Sequence, residues 1–169
     1  MTPIRRLLAC VALPLLLAAA PPVAPPAGTP VAMAPRPGTP LDQAARALVA
    51  DDLAEAARAG ERPLLLVGSA RLGAAGDRPA LFVQLQSPRE CGSAGCSTAV
   101  YAWLAGRYQR VLDGATGRVS VSTARHRGMA DILAGSEAYV WTGTAYAASR
   151  PAPNVDLRPR RRAGATPPR

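Results

Sequence analysis

The sequence predicts an α+β fold, one N-terminal helix packed on an antiparallel β-meander of about eight short strands. Three observations lead there. Between Leu41 and Ala56 apolar residues recur every three or four positions, the period of a helix with one buried face. After Pro63 the pattern changes to short apolar runs separated by glycine-containing turns, as in strands joined by hairpins. Two of those hairpins repeat each other. "YAWLAGRY" from Tyr101 and "YVWTGTAY" from Tyr139 carry Tyr, Trp and Tyr at the same spacing, offset by 38 residues.

The elements follow in chain order. Residues 1–20, "MTPIRRLLACVALPLLLAAA", have a basic start at Arg5 and Arg6, an apolar run from Leu7, and small residues at the end. That is the pattern of an export signal, and the run is shorter than the roughly 20 residues that cross a bilayer. Pro21 is a poor residue after a cleavage site, so an uncleaved N-terminal anchor is the alternative. Cys10 follows "LLA" but precedes most of the apolar run, which argues against lipid attachment there. Residues 21–40 hold eight prolines and read as a disordered linker.

Residues 41–149 read as a single globular domain of 109 residues, large enough to bury roughly 60–70% of its unfolded surface. Thr39 is placed as N-cap of its helix, Pro40 at the first helical position and Asp42 three residues after the cap. The apolar face is Leu41, Ala45, Leu48, Val49, Leu53 and Ala56, and Gly60 supplies the stop. Asp51 and Asp52 are adjacent, so they do not share a helix face and read as solvated surface. The strands are "LLLVGSAR", "ALFVQLQ", "TAVYAWL", "RYQRVL", "RVSVSTA", "MADILA", "EAYVWT" and "AYAAS". Residues 150–169 read as a disordered Arg/Pro-rich tail.

Cysteine count bears on both compartment and chemistry. Removing the signal leaves two cysteines, Cys91 and Cys96, an even number suited to an oxidising compartment. A structural zinc site wants four Cys or His ligands, and the chain adds only His126. A thioredoxin-like pair is spaced Cys-x-x-Cys, whereas four residues intervene here. Gly92 and Gly95 let the backbone turn tightly enough for a short bridge. A structural disulfide is therefore the leading reading, ahead of a redox-active or metal-bound pair.

The formal charge of +9 invites a nucleic-acid reading, but its distribution argues against one. From Leu41 to Ser149 eleven arginines stand against ten acids, and from Arg150 to Arg169 six arginines stand against Asp156 alone. The excess lies in the tail, whereas a nucleic-acid-binding domain carries a basic stripe on its folded surface. Arg158, Arg160, Arg161 and Arg162 suit a weak, salt-sensitive contact with an anionic surface.

With these parts in place, the segment from about Ala80 to Tyr146 resembles a group of small exported bacterial proteins of no assigned activity. Their pattern is a hydrophobic strand, a Cys-Gly-Ser-Gly-Gly-Cys loop, a strand and a "GYRVV"-like strand, then a "V-x-V" strand and a His-Gly-x-x-Asp turn. The corresponding pieces here are "ALFVQLQ", "CGSAGC", "AVYAWL", "GRYQRVL", "VSV" and "HRGMAD". Ala94 stands where the pattern has a glycine, and Arg127 separates His126 from Gly128. The resemblance implies export and a β-rich fold and brings no reaction with it.

Few residues offer chemistry. His126 and Asp131 are the acid–base candidates, because a turn between strands can bring them together. The nominal nucleophiles are Ser97, Ser122 and Thr123, with no Gly-x-Ser-x-Gly elbow and no second histidine. No phosphate loop, metal set or cofactor motif is legible. All seven aromatic residues lie between Phe82 and Tyr146, and they supply core first and a ligand-stacking surface second.

The expected function is a non-catalytic binding module of the envelope, periplasmic or secreted, meeting an unidentified envelope protein or polymer. Its contact residues are expected at Ser93 and Ala94 of the loop and at Tyr101, Trp103, Tyr139 and Trp141 of the two hairpins. One alternative is an inhibitor-like protein presenting the loop to an envelope hydrolase. The other is a small hydrolase using His126 and Asp131.

Overall fold

A computed structural model describes residues 28–73 and 78–149. The expected signal peptide, the first part of the linker and the arginine-rich tail lie outside the described residues. Within them the chain runs β1 (Gly28–Pro30), α1 (Pro40–Leu48), α2 (Ala50–Arg58), β2 (Leu64–Ala70), β3 (Ala80–Gln86) and β4 (Cys91–Gly92). It continues through β5 (Gly95–Leu104), β6 (Arg107–Thr116), β7 (Val119–His126), β8 (Met129–Ala134), β9 (Glu137–Trp141) and β10 (Tyr146–Ala148). The fold is mostly antiparallel sheet with two short helices.

Three expectations need correction. The strands do not form one meander but two sheets. One is ordered β1-β7-β8-β9-β10; in the other β2, β3, β5 and β6 are neighbours in that order, with β4 beside the start of β5. The second of these sheets is covered on both sides, which explains why "ALFVQLQ" reads as a nearly continuous apolar run. Leu81, Val83 and Leu85 pack with Ala45 and Val49 of the helical layer. Ala80 and Phe82 face the other way, into a core shared with Val119, Ile132, Ala134, Trp141 and Tyr146 of the first sheet. Helices, one sheet and a second sheet therefore stack as three layers.

The helix is neither single nor first in the chain. Its cap forms as expected: Thr39 Oγ1 accepts a hydrogen bond from Asp42 N at 3.2 Å, and Asp42 Oδ2 accepts from Gly38 N and Arg46 Nε. At Val49 the backbone leaves helical values (φ −115°, ψ 27°), and α2 begins one residue later without a side-chain cap. The break points Val49 into the core beside Ala45 while leaving α2 with a single buried side chain, Ala56.

The proline-rich segment also enters the fold over part of its length. Residues Gly28–Pro30 pair antiparallel with Ser120–Ser122 of β7, and Ala34 exchanges backbone hydrogen bonds with Val67 of β2 at 3.0 and 3.3 Å. A proline is tolerated in such a strand because it sits at the sheet edge, where its missing N–H breaks no ladder. The segment thus straps the edge of one sheet to the edge of the other. Gly68 makes room for it. A Cβ there would stand 2.8 Å from Val31 Cγ1 and 2.9 Å from Met33 Sδ, closer than packed atoms approach.

Candidate functional site

The stapled loop is a hairpin. Cys91 pairs in register with Cys96 and Gly92 with Gly95, and the two sulfurs are bonded across the ladder with Cα atoms 3.9 Å apart. That leaves Ser93 and Ala94 as the exposed tip. Its base is fixed from β3, where Gln84 Nε2 donates to Cys96 O at 3.0 Å and to Thr98 Oγ1 at 3.1 Å, while Gln86 Nε2 donates to Gln84 Oε1. The sequence did carry a signal for this clamp, a glutamine interrupting an otherwise buried strand.

Beside the hairpin the helical layer covers β5 and β6 only in part, and a groove of about 240 Å³ opens between α2 and the sheet. Val83, Leu85, Ala99 and Tyr101 form its apolar floor, and Asp52, Glu90 and Asp113 stand on its rim. Arg110 bridges the rim: it lies 3.5 Å from Asp52, donates to Asp113 Oδ2 at 3.1 Å and to Tyr101 Oη at 3.1 Å, and sits over the Tyr101 ring. Burial pushes the Tyr101 phenol up, and Arg110 offsets that only in part. A second cleft shares Asp52, Leu85 and Glu90 and adds Glu55, Glu61 and Arg89. Arg89 pairs with Glu55 and reaches toward Glu61 at 3.9 Å. Asp52, expected as solvated surface, belongs to this network. The groove unites α2, the hairpin and β6, segments far apart in sequence.

His126 and Asp131 do come together. The hairpin pairs His126 with Met129, so Asp131, two residues on, lies on the same side of the strand. His126 Nδ1 stands 2.7 Å from Asp131 Oδ1, with the carboxylate buried and the ring half exposed. A bulge in β7 opposite Asp131 is held by Ser122 Oγ, which accepts from Ala124 N. Arg125 and Arg127 do not join the pair through their side chains. Arg125 donates to the carbonyls of Leu72, Gly73 and Gly128, and Arg127 donates to that of Thr142. Among the described residues no Ser, Thr or Cys side chain hydrogen-bonds to the imidazole, so Ser97, Ser122 and Thr123 are not brought to it.

The aromatic residues pair within each hairpin but do not form one open stacking surface. Trp103 meets Tyr108 edge-on at 5.0 Å, and Trp141 meets Tyr146 at 5.2 Å. Tyr101 and Trp141 are buried, on opposite sides of the β2–β6 sheet, while Trp103 and Tyr139 are half-buried. The Arg78 guanidinium covers the Trp103 ring at 4.3 Å. Of these rings, Tyr101 lines the groove.

Among the described residues no three His, Cys, Asp or Glu side chains gather as a metal set, and no helix is long and apolar enough to cross a membrane. No family model, curated protein or solved structure matches the chain.

Proposed function

We propose that the protein is an exported interaction module of the bacterial envelope, meeting its partner through the stapled hairpin and the groove beside it. The observation that carries this reading is the bridged register of Cys91 with Cys96, which holds Ser93 and Ala94 at the tip of a loop whose flanks, Glu90 and Ser97, line the groove. A loop fixed before binding loses little conformational entropy on binding, so more of its contact energy appears as affinity. Disulfides persist in oxidising compartments, in line with the export pattern of residues 1–20.

The test is crosslinked capture from periplasmic extract by the oxidised protein. Ser93→Arg with Ala94→Glu should weaken capture of any genuine partner by about tenfold, the loss of roughly 1.4 kcal/mol. Equal capture by both forms removes the loop from the interface.

A second reading rests on the 2.7 Å contact between His126 and Asp131. A buried carboxylate on Nδ1 orients the ring and fixes its tautomer, leaving Nε2 to accept a proton from a water or a substrate hydroxyl. On this reading the protein is a small hydrolase without its own nucleophile. His126→Ala should then abolish turnover of an envelope ester or amide and also cost about 1–3 kcal/mol, because the buried Asp131 carboxylate loses its partner, with near-UV circular dichroism reporting the fold. Undiminished turnover ends it.

A further inference from the structure

We propose that the groove between α2 and the β5–β6 face is the docking place of the chain's own arginine-rich segment, residues 150–169. Acidic side chains are not spread evenly over the body. Along the groove and its adjoining cleft Asp52, Glu55, Glu61, Glu90 and Asp113 stand against two cations, Arg89 and Arg110, leaving a local charge of −3. The stretch from Leu41 to Ser149 as a whole carries +1, so this face is the exception. One of its oxygens, Glu61 Oε2, is enclosed with no hydrogen-bond partner among the described residues.

The occupant must match an apolar floor and an acidic rim together. An arginine does so with one side chain, its methylene stem on Val83, Leu85 and Ala99 and its guanidinium among the carboxylates. Residues 150–169 carry six arginines against Asp156. They also carry prolines at 151, 153 and 159, which limit the conformations to be given up on docking.

Reach is sufficient. The last described residue, Ser149, is hydrogen-bonded to Ala138, and Arg158 follows nine residues later. Nine extended residues span about 30 Å and all twenty to Arg169 about 65 Å, against a diameter of about 35 Å for a domain of this size. Attachment through the backbone also gives the segment an effective concentration near the millimolar range, so a weak site is filled. The assignment needs no envelope partner and does not depend on one. Where such a partner uses the groove, it has to displace the segment first.

The experiment uses the full-length oxidised protein with Ala163→p-benzoylphenylalanine as a photo-crosslinking probe, with and without phosphatidylglycerol vesicles. Mass spectrometry should find an intrachain crosslink to peptides spanning 49–61, 83–90 or 97–113. Its yield should fall about tenfold in about 0.5 M salt, where the screening length is only a few ångströms. Asp52→Asn with Glu90→Gln should lower it similarly, with near-UV circular dichroism reporting the fold. The high-salt arm reads the same contact without any substitution. Crosslinks to other faces, crosslinks between two chains, transfer of the label to lipid, or a yield indifferent to salt would each overturn the proposal.

Discussion

The two aromatic hairpins share a sequence pattern and a cross-strand geometry, yet they bury their rings differently. Trp103 is opposite Tyr108 and Trp141 opposite Tyr146 in the ladders, with ring centroids 5.0 and 5.2 Å apart. The second pair is buried between the two sheets, while the first is half exposed, with Arg78 on its indole. The cause lies in the residues between the rings. In β5 the alternate positions Val100 and Ala102 are fully buried toward the β1-β7-β8-β9-β10 sheet, so Tyr101 and Trp103 must point to the helical layer. That layer reaches Tyr101 and ends before Trp103. In β9 the flanking Ala138 and Val140 take the outer face, and Tyr139 and Trp141 point inward. Spacing sets which rings meet; the neighbouring layers set what covers them.

Deleting each indole in turn should separate the two hairpins most. Trp141→Ala opens a cavity between the sheets and should cost about 3–5 kcal/mol. Trp103→Ala removes partly solvated area and one cation–π contact and should cost about 1–2 kcal/mol. Urea unfolding of the two variants measures the difference, and equal losses would contradict the unequal burial of the two rings.

The bridge between Cys91 and Cys96 belongs to the sheet of the first hairpin alone. Closing so short a loop restricts the unfolded chain by about 2 kcal/mol, so Cys91→Ala with Cys96→Ala should lower stability by that amount. Because the effect acts on the unfolded chain, near-UV circular dichroism of the folded variant should retain the signal of both aromatic pairs. Loss of either signal would show that the bridge also positions the rings.

Tyr146 of the second hairpin ties stability to alkaline pH. Tyr146 Oη donates to Ala130 O at 2.7 Å inside the core, whereas Tyr108 Oη donates to Pro79 O at 3.2 Å near solvent. Burial pushes the Tyr146 phenol far above the ordinary tyrosine range, with Asp131 adding to the shift and Arg125 opposing it. Below about pH 10 both folded and unfolded chains hold this proton, and the shift contributes nothing. Above it the unfolded chain releases the proton and the folded chain keeps it, so stability falls by up to about 1.4 kcal/mol per pH unit. Tyr101 and Tyr139 are raised by burial too and act in the same direction. Tyr146→Phe should cost about 1–2 kcal/mol at neutral pH, because Ala130 O loses its donor, and should flatten the alkaline fall. An unchanged slope between about pH 10 and 12 would remove Tyr146 from that role.

Strands bounded by turn residues are legible in the sequence itself. β3 and β8 coincide residue for residue with "ALFVQLQ" and "MADILA" because turn residues bound both runs. The meeting of His126 and Asp131 is legible for the same reason: a short turn fixes which residues share a strand face. β1 is not legible. Gly28, Thr29 and Pro30 offer no buried side chains, only backbone along an edge, and their composition is that of a linker. Nor is the groove. Asp52, Glu90 and Arg110 signal nothing locally and acquire a role only when α2, the hairpin and β6 converge.

The turns of the two hairpins give the finest contrast. Among the described residues Ala105 and Arg127 are the non-glycine residues with positive φ, at +50° and +49°. Ala105 leads the turn of the first aromatic hairpin, followed by Gly106 at +82°, the two positive values that a type I′ turn requires. The second aromatic hairpin turns through Gly143 at +118° and then Thr144, so its glycine already occupies the strained position. Alanine in the left-handed region costs roughly 1 kcal/mol, and asparagine accepts it more readily because its side chain can bond to the local backbone. Ala105→Asn should therefore raise stability by about 0.5–1 kcal/mol. Thr144→Asn, with no such strain to relieve, should leave the unfolding midpoint where it was. If the two substitutions shift the midpoint equally, the gain comes from asparagine itself and not from the geometry of the first turn.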